Sequence, residues 1–353
     1  EGDLAFHSWY RFVLSFPPHL VRAYLEDFGL DEECTVLDPF CGTGTTLVES
    51  KLGGVHSVGL ESNPIAHFAS SVKVSWDVDP DRLLAFADEI AGETHRVLRS
   101  QGIDDTRPIL GDLSGISLMT LPSEASKLLI KNSISPLPLH KSLVLMDCLR
   151  AHSAEPCYPH ARLALANALV SNVGNLRFGP EVGVGQIKKD VSVIQSWMFE
   201  IRRIARDLRL VAAQEHPRSR AYLADARDID QVLPAQSIDA VITSPPYPNE
   251  KDYTRTTRLE SVILGFIQNR EDLRRLKKGL VRSNTRGVYK DDSDDRWIDN
   301  HGTVQQIADA IERRRLEMGK TSGFERLYSR VTRLYFGGMA RHLASLRTVL
   351  RPG

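Results

Sequence analysis

Apolar positions follow two rhythms along this chain. Short runs, Val36-Leu37, His56 to Leu60, Ala221 to Ala224 and Ile238 to Thr243, have the length and density of strands buried on both faces. Asp38-Pro39, Glu61-Ser62-Asn63-Pro64, Asp225 and Ser244-Pro245-Pro246 stop them. After the first two runs the rhythm changes to helical spacing, over Leu47 to Leu52 and then through Ile65, Phe68, Ala69 and Val72. Strand alternating with helix predicts an α/β fold, a doubly wound parallel sheet with helices on both faces. Ahead of the first strand, residues 5–29 give an aromatic-rich loop and then a helix. Pro17-Pro18 open that helix, Gly29 closes it, and Leu20, Val21, Tyr24, Leu25 and Phe28 are expected to face a core.

The ladder is interrupted from 77 to about 217. Leu83 to Leu98 is amphipathic helix, and residues 100–140 are mixed, broken by Pro108, Pro122, Pro136 and Pro138. Residues 160–173 read as a buried helix. Residues 190–214 read as a long one, with Val191, Ile194, Met198, Ile201, Ala205 and Leu208 inward and Arg202, Arg203, Arg206 and Arg209 outward. Between them, Asn175-Leu176-Arg177-Phe178-Gly179-Pro180-Glu181 is a loop that fits a DNA contact or a simple connection equally. Leu259 to Phe266, 303–318 and 324–349 are further helices. The pattern divides the chain into a ligand-binding half (1–76), a mainly helical insertion (77–217), a second half of the core (218–269), a basic then acidic segment with a helix (270–323) and a last core helix (324–353). The closing Leu350-Arg351-Pro352-Gly353 falls where another strand is due, and the expectation is that a strand or more is missing or supplied by another segment.

Composition narrows the class. The 353 residues are 42% hydrophobic and 25% charged, with 45 basic and 45 acidic residues, so any polyanion must be met by a local cluster of cations rather than by net charge. No apolar run is long enough to span a membrane and no secretory signal opens the chain. Cys34, Cys41, Cys148 and Cys157 lack both Cys-x-x-Cys pairing and zinc spacing, so reduced thiols, no metal and a cytoplasmic location are expected.

The stretch Asp38 to Thr46 carries the first candidate chemistry. Gly42 and Gly44 permit a tight turn and close approach of a ligand, and Thr43, Thr45 and Thr46 can cap the following helix. The turn is not Gly-x-Gly-x-x-Gly and lacks Gly-Lys-Ser/Thr, which argues against dinucleotide and P-loop readings. An acid ahead of the glycines suits a cationic or hydroxyl-rich ligand better than a pyrophosphate. Glu61, ending the second strand, is placed to accept from ribose hydroxyls.

Asp38-Pro39-Phe40-Cys41-Gly42-Thr43-Gly44-Thr45 resembles the S-adenosylmethionine loop of methyltransferases that modify exocyclic amino groups of nucleobases. Asp239-Ala240-Val241-Ile242-Thr243-Ser244-Pro245-Pro246-Tyr247 resembles their catalytic loop. The resemblance implies a Rossmann-like methyltransferase sheet carrying a large helical insertion, with S-adenosylmethionine as cofactor and double-stranded DNA as substrate. It also leaves room for a partner restriction or defence subunit. It adds Tyr10 and Ser15, before the loop, at the methionine end of the cofactor. Ser62 joins Glu61, and Asp225 with the Ala226 amide meets the adenine.

Ser244, Pro245, Pro246 and Tyr247 become the catalytic candidates. An exocyclic nitrogen delocalises its lone pair into the ring. The Ser244 hydroxyl and the Pro245 carbonyl can hold both its hydrogens and localise that pair, while the prolines keep the loop rigid and Tyr247 stacks on the base. Serine at the first position goes more often with cytosine N4 than with adenine N6. Arg274, Lys277, Lys278 and Arg282, in the most basic stretch, are the candidate phosphate contacts. Two other readings stay open: an RNA guanine-N2 methyltransferase, and a DNA-recognition subunit without chemistry.

Overall fold

The computed structural model describes residues 4–10, 15–107, 115–179, 181–212, 214–248 and 251–352. Four parallel strands form the sheet: β1 (Thr35–Asp38), β2 (His56–Glu61), β5 (Ser219–Leu223) and β6 (Ala240–Val241). A separate two-stranded hairpin, β3 (Leu176–Arg177) and β4 (Gly183–Val184), lies within the insertion. The sheet order is β5-β2-β1-β6, with Leu37 opposite Val58 on one side and Val241 on the other. Amides of Asp239 and Ile242 extend the β1–β6 pairing to Thr35 and Leu37, each at 3.0 Å. A parallel bridge from Ile238 to Leu350 widens the sheet by one position beyond β6.

Both faces of the sheet are covered, as the uninterrupted apolar runs require. Leu37, Leu60 and Ile238 pack with Ile229, Leu346 and Val349. Val36 packs against Val21 and Leu25 of α1 (Pro18–Asp27). Gly59 lets α2 (Thr45–Leu52) press on β2, since a Cβ there would lie 2.8 Å from the Cys41 sulfur and 2.9 Å from Leu47. The chain thus has a Rossmann-like, doubly wound sheet. On α1 the sequence reading needs correction: only Val21 and Leu25 are buried, while Leu20, Tyr24 and Phe28 are exposed.

After α3 (Pro64–Lys73) comes the helical insertion: α4 (Pro80–Ser100), α5 (Ser123–Ser126), α6 (Pro136–Ala151), α7 (Tyr158–Ala168) with a π turn at Leu169–Val173, and α8 (Val193–Arg209). Its apolar side chains join those of α2 and α3 in one continuous cluster. Pro136 and Pro138 open α6 rather than break it, because a missing N–H costs nothing in a first turn. Lys141 on α6 is fully buried between Asp190 (2.7 Å) and Asp105 (3.2 Å), and Asp105 also accepts from the Val193 and Ile194 amides at the start of α8.

The remaining helices are α9 (Tyr253–Thr256), α10 (Arg258–Ile263), α11 (Arg270–Lys278), α12 (Gly302–Glu317) and α13 (Tyr328–Val349). No helix among the described residues is long and apolar enough to cross a membrane. Asn249, Pro108 and Pro180 lie outside the described residues.

Candidate functional site

A cleft opens outside the carboxyl ends of the strands, where the order reverses between β1 and β6. The turn after β1 shapes its floor. Asp38 is wholly buried and accepts from the Thr46 hydroxyl (2.7 Å), the Thr243 hydroxyl (2.6 Å) and the Phe40 amide (3.1 Å). Burial lifts its pKa to about 6. Asp38 therefore ties β1, α2 and the end of β6 together and does not line the cleft. Thr46, committed to Asp38, does not cap α2. The cap position is Gly44 at φ +86°, where a Cβ would meet Ser70 Cβ at 3.0 Å. Pro39, Phe40, Cys41, Gly42, Thr43 and Thr45 all face the cleft.

Glu61 stands opposite. Its Oε2 accepts from the Gly42 amide at 2.9 Å and its Oε1 from the Asn63 amide at 2.7 Å. Burial pushes its pKa up to about 7 against those two hydrogen bonds. Beside it, the Ser62 hydroxyl donates to the Ala224 carbonyl at 2.9 Å. Asp225 and Ala226 close the β5 side. Asp225 caps a short 3-10 turn, accepting from the Arg227 amide (3.0 Å) and from the Arg227 guanidinium Nε (3.0 and 3.1 Å).

The loop after β6 completes the wall. Ser244, Pro245, Pro246 and Tyr247 all line the same cleft as Glu61 and Asp225. The Ser244 hydroxyl lies 3.3 Å from the Tyr247 hydroxyl, and Tyr247 is 54% exposed. Ser15 lines the opening, with Phe16 beside it. Tyr10 does not: it is 1% exposed and its hydroxyl donates to the buried Glu260, so it belongs to the core.

The basic segment is less free than its sequence suggests. Arg282 is 4% exposed, paired at both ends with Asp292 (3.0 and 2.8 Å), and donates to the Lys277 carbonyl. Lys277 pairs with Asp252 at 2.8 Å and Lys278 with Asp291. Arg282 is thus a structural cation, not a phosphate contact. Arg274 and Arg270 remain exposed on α11, Arg274 standing 5.3 Å from the centre of the Tyr289 ring. On α8, Arg203, Arg206 and Arg209 pair with Glu200, Asp207 and Asp81.

With its described residues alone, the cleft presents two carboxylates, Glu61 and Asp225, and no Lys, Arg or His. Apolar surface comes from Phe16, Phe40, Ala66, Leu280 and Val281. Such a lining offers phosphates no cation. Its mix of apolar surface and carboxylate oxygens suits a ligand with an apolar ring and hydroxyls.

Among curated proteins the chain is similar to the Type II methyltransferase M.BsoBI of Geobacillus stearothermophilus, with 25% identity over 291 residues. The match covers 75% of this chain and 53% of that protein, so the chain spans about half the length of the curated relative it matches. No family model and no solved structure matches.

Several cleft residues stand outside the sequence reading. Phe16, Asn63, Tyr253 and Gly279-Leu280-Val281 line it, and Tyr335 reaches the loop from α13. Asn63 directly follows Glu61-Ser62, and Tyr253 stands six positions past Tyr247. Leu280, Val281 and Tyr335 carry no local signal, because only the tertiary fold brings them to the site.

Proposed function

We propose that this chain binds S-adenosylmethionine in the cleft and methylates an exocyclic amino group in DNA, cytosine N4 ahead of adenine N6. One observation carries the reading: the turn from Pro39 to Thr45 and the Ser244–Tyr247 loop line a single cleft whose acidic side chains are Glu61 and Asp225. The similarity to a Type II methyltransferase supports methyl transfer.

The cofactor, when bound, supplies an electrophilic methyl on a sulfonium. Glu61 accepts from the ribose hydroxyls, with Ser62 beside it. Asp225 accepts from the adenine amino group while the Ala226 amide meets a ring nitrogen. Phe40 and Ala66 supply apolar surface, and the Gly42 turn lets the backbone approach closely. Ser15 borders the opening at the methionine end.

The target base leaves the duplex stack to reach Ser244. The Ser244 hydroxyl and the Pro245 carbonyl accept the two amino hydrogens, which localises the nitrogen lone pair, and Tyr247 stacks on the ring. Positioning supplies most of the acceleration. Ser244→Ala tests this assignment. It should lower kcat by roughly 10²-fold, with cofactor affinity unchanged, because the lost bond acts in the transition state. An unaltered kcat in the folded variant removes Ser244 from the chemistry.

A further inference from the structure

Both polar groups of one peptide unit in the loop after β6 are held by tyrosines, one six residues on and one from α13. The Tyr335 hydroxyl donates to the Pro246 carbonyl at 2.9 Å. The Tyr247 amide donates to the Tyr253 hydroxyl at 2.9 Å. We infer that Tyr253 and Tyr335 form a clamp on the Pro246–Tyr247 peptide that sets the working geometry of the Ser244–Tyr247 loop, an inference that rests on the amino-methylation reading above.

The peptide plane is the loop's main freedom. The proline rings fix φ at Pro245 and Pro246. The orientation of the next peptide then sets ψ of Pro246 and φ of Tyr247 together, and with them the position of the Tyr247 ring. Holding the carbonyl from one side and the amide from the other removes that rotation. The Pro246 carbonyl is thereby committed to Tyr335, and the Pro245 carbonyl, with no partner among the described residues, is left to accept from a base.

Each arm of the clamp is anchored on its own. Tyr335 is 9% exposed, lies outside the cleft lining, and so acts only through the loop. Its height along α13 is fixed two residues on by Gly337, where a Cβ would lie 2.0 Å from the Asp294 carbonyl oxygen. Asp294 is held in turn by Arg227 and Arg341. Tyr253 opens α9, whose preceding residue Asp252 accepts from the Thr254 amide at 3.1 Å and pairs with Lys277 at 2.8 Å. Burial raises the pKa of both phenols, which keeps Tyr335 a donor. Tyr335 is therefore a positioning residue, while Tyr253 holds the amide and also lines the cleft.

The experiment removes one oxygen at a time, in Tyr335→Phe, Tyr253→Phe and the double variant of the full chain. Hydrogen exchange of the Tyr247 amide and steady-state kinetics are read on each. The clamp predicts that exchange at Tyr247 rises in every variant. It predicts that kcat falls about tenfold in each single variant, and that Tyr335→Phe, outside the cleft, leaves S-adenosylmethionine affinity and KM for DNA unchanged. The double variant should be little slower than the slower single, because one peptide is released either way.

Unchanged exchange and unchanged kcat in Tyr335→Phe would overturn the clamp. So would kcat, KM, cofactor affinity and thermal stability declining together, which would mark a general scaffold contact. Faster Tyr247 exchange in the variants of a parent that transfers no methyl group would uphold the clamp and overturn the amino-methylation reading instead.

Discussion

Glu61 is the residue on which cofactor affinity should turn. Its carboxylate is pinned by two backbone amides, and burial still raises its pKa to about 7. A ribose hydroxyl donates best to the ionised form. Affinity for S-adenosylmethionine should therefore rise with pH through about 7, by roughly tenfold between pH 6 and pH 8. Calorimetric titration across that range checks it, and a flat profile contradicts it. Glu61→Ala should weaken binding by about 1.5–3 kcal/mol and abolish the pH dependence. Stability responds to pH with the opposite sign. Burial raises Glu61 and Glu260 to about 7 and Asp38 to about 6. The folded state thus binds protons more readily than the unfolded chain, and the stability this confers is full below the ordinary carboxylate range and lost as pH rises through 6 and 7.

Among the elements, α6 and α8 are joined by the buried Lys141 between Asp105 and Asp190. Removing the ammonium leaves two buried carboxylates without their shared cation. Lys141→Ala should cost about 3–5 kcal/mol in chemical denaturation. A loss near zero would mean that the carboxylates take up protons or water at no cost.

Elements are legible in the sequence where a single local rule governs them. β1 and β2 announce themselves as apolar runs stopped by Asp38-Pro39 and by Glu61 to Pro64, and the two loops that follow β1 and β6 line the cleft. The start of α6 is hidden because Pro136 reads as a breaker unless it stands in a first turn. The outer face of α1 is ambiguous because Leu20, Tyr24 and Phe28 share helical spacing with the buried Val21 and Leu25, and spacing alone does not say which stripe meets the sheet. Tyr10 reads as a cofactor contact because nothing local reveals Glu260, its partner 250 positions away.

For the molecule as a whole, zero net charge places the burden of the proposed DNA binding on a few cations. Arg282 resembles one of them in sequence because its ion pair with Asp292, ten residues on, forms only in the folded chain. The exposed Arg270 and Arg274 are the better candidates on α11. Arg270→Ala with Arg274→Ala should lower the slope of log affinity against log salt by roughly one unit for each phosphate no longer neutralised, as read from a salt titration. Arg282→Ala should instead lower stability and leave the slope alone. A parent slope in the first double variant would move the DNA path away from α11.

Methyl transfer to an exocyclic amino nitrogen held at Ser244 is the proposed reaction. Its most direct test is nucleoside mass spectrometry of duplex DNA incubated with the full-length protein and methyl-labelled S-adenosylmethionine. Label is expected in N4-methylcytosine, strongly reduced with Ser244→Ala. Label in N6-methyladenine would overturn the choice of base. Label on a ring carbon, or no label from a protein that binds the cofactor, would contradict the account.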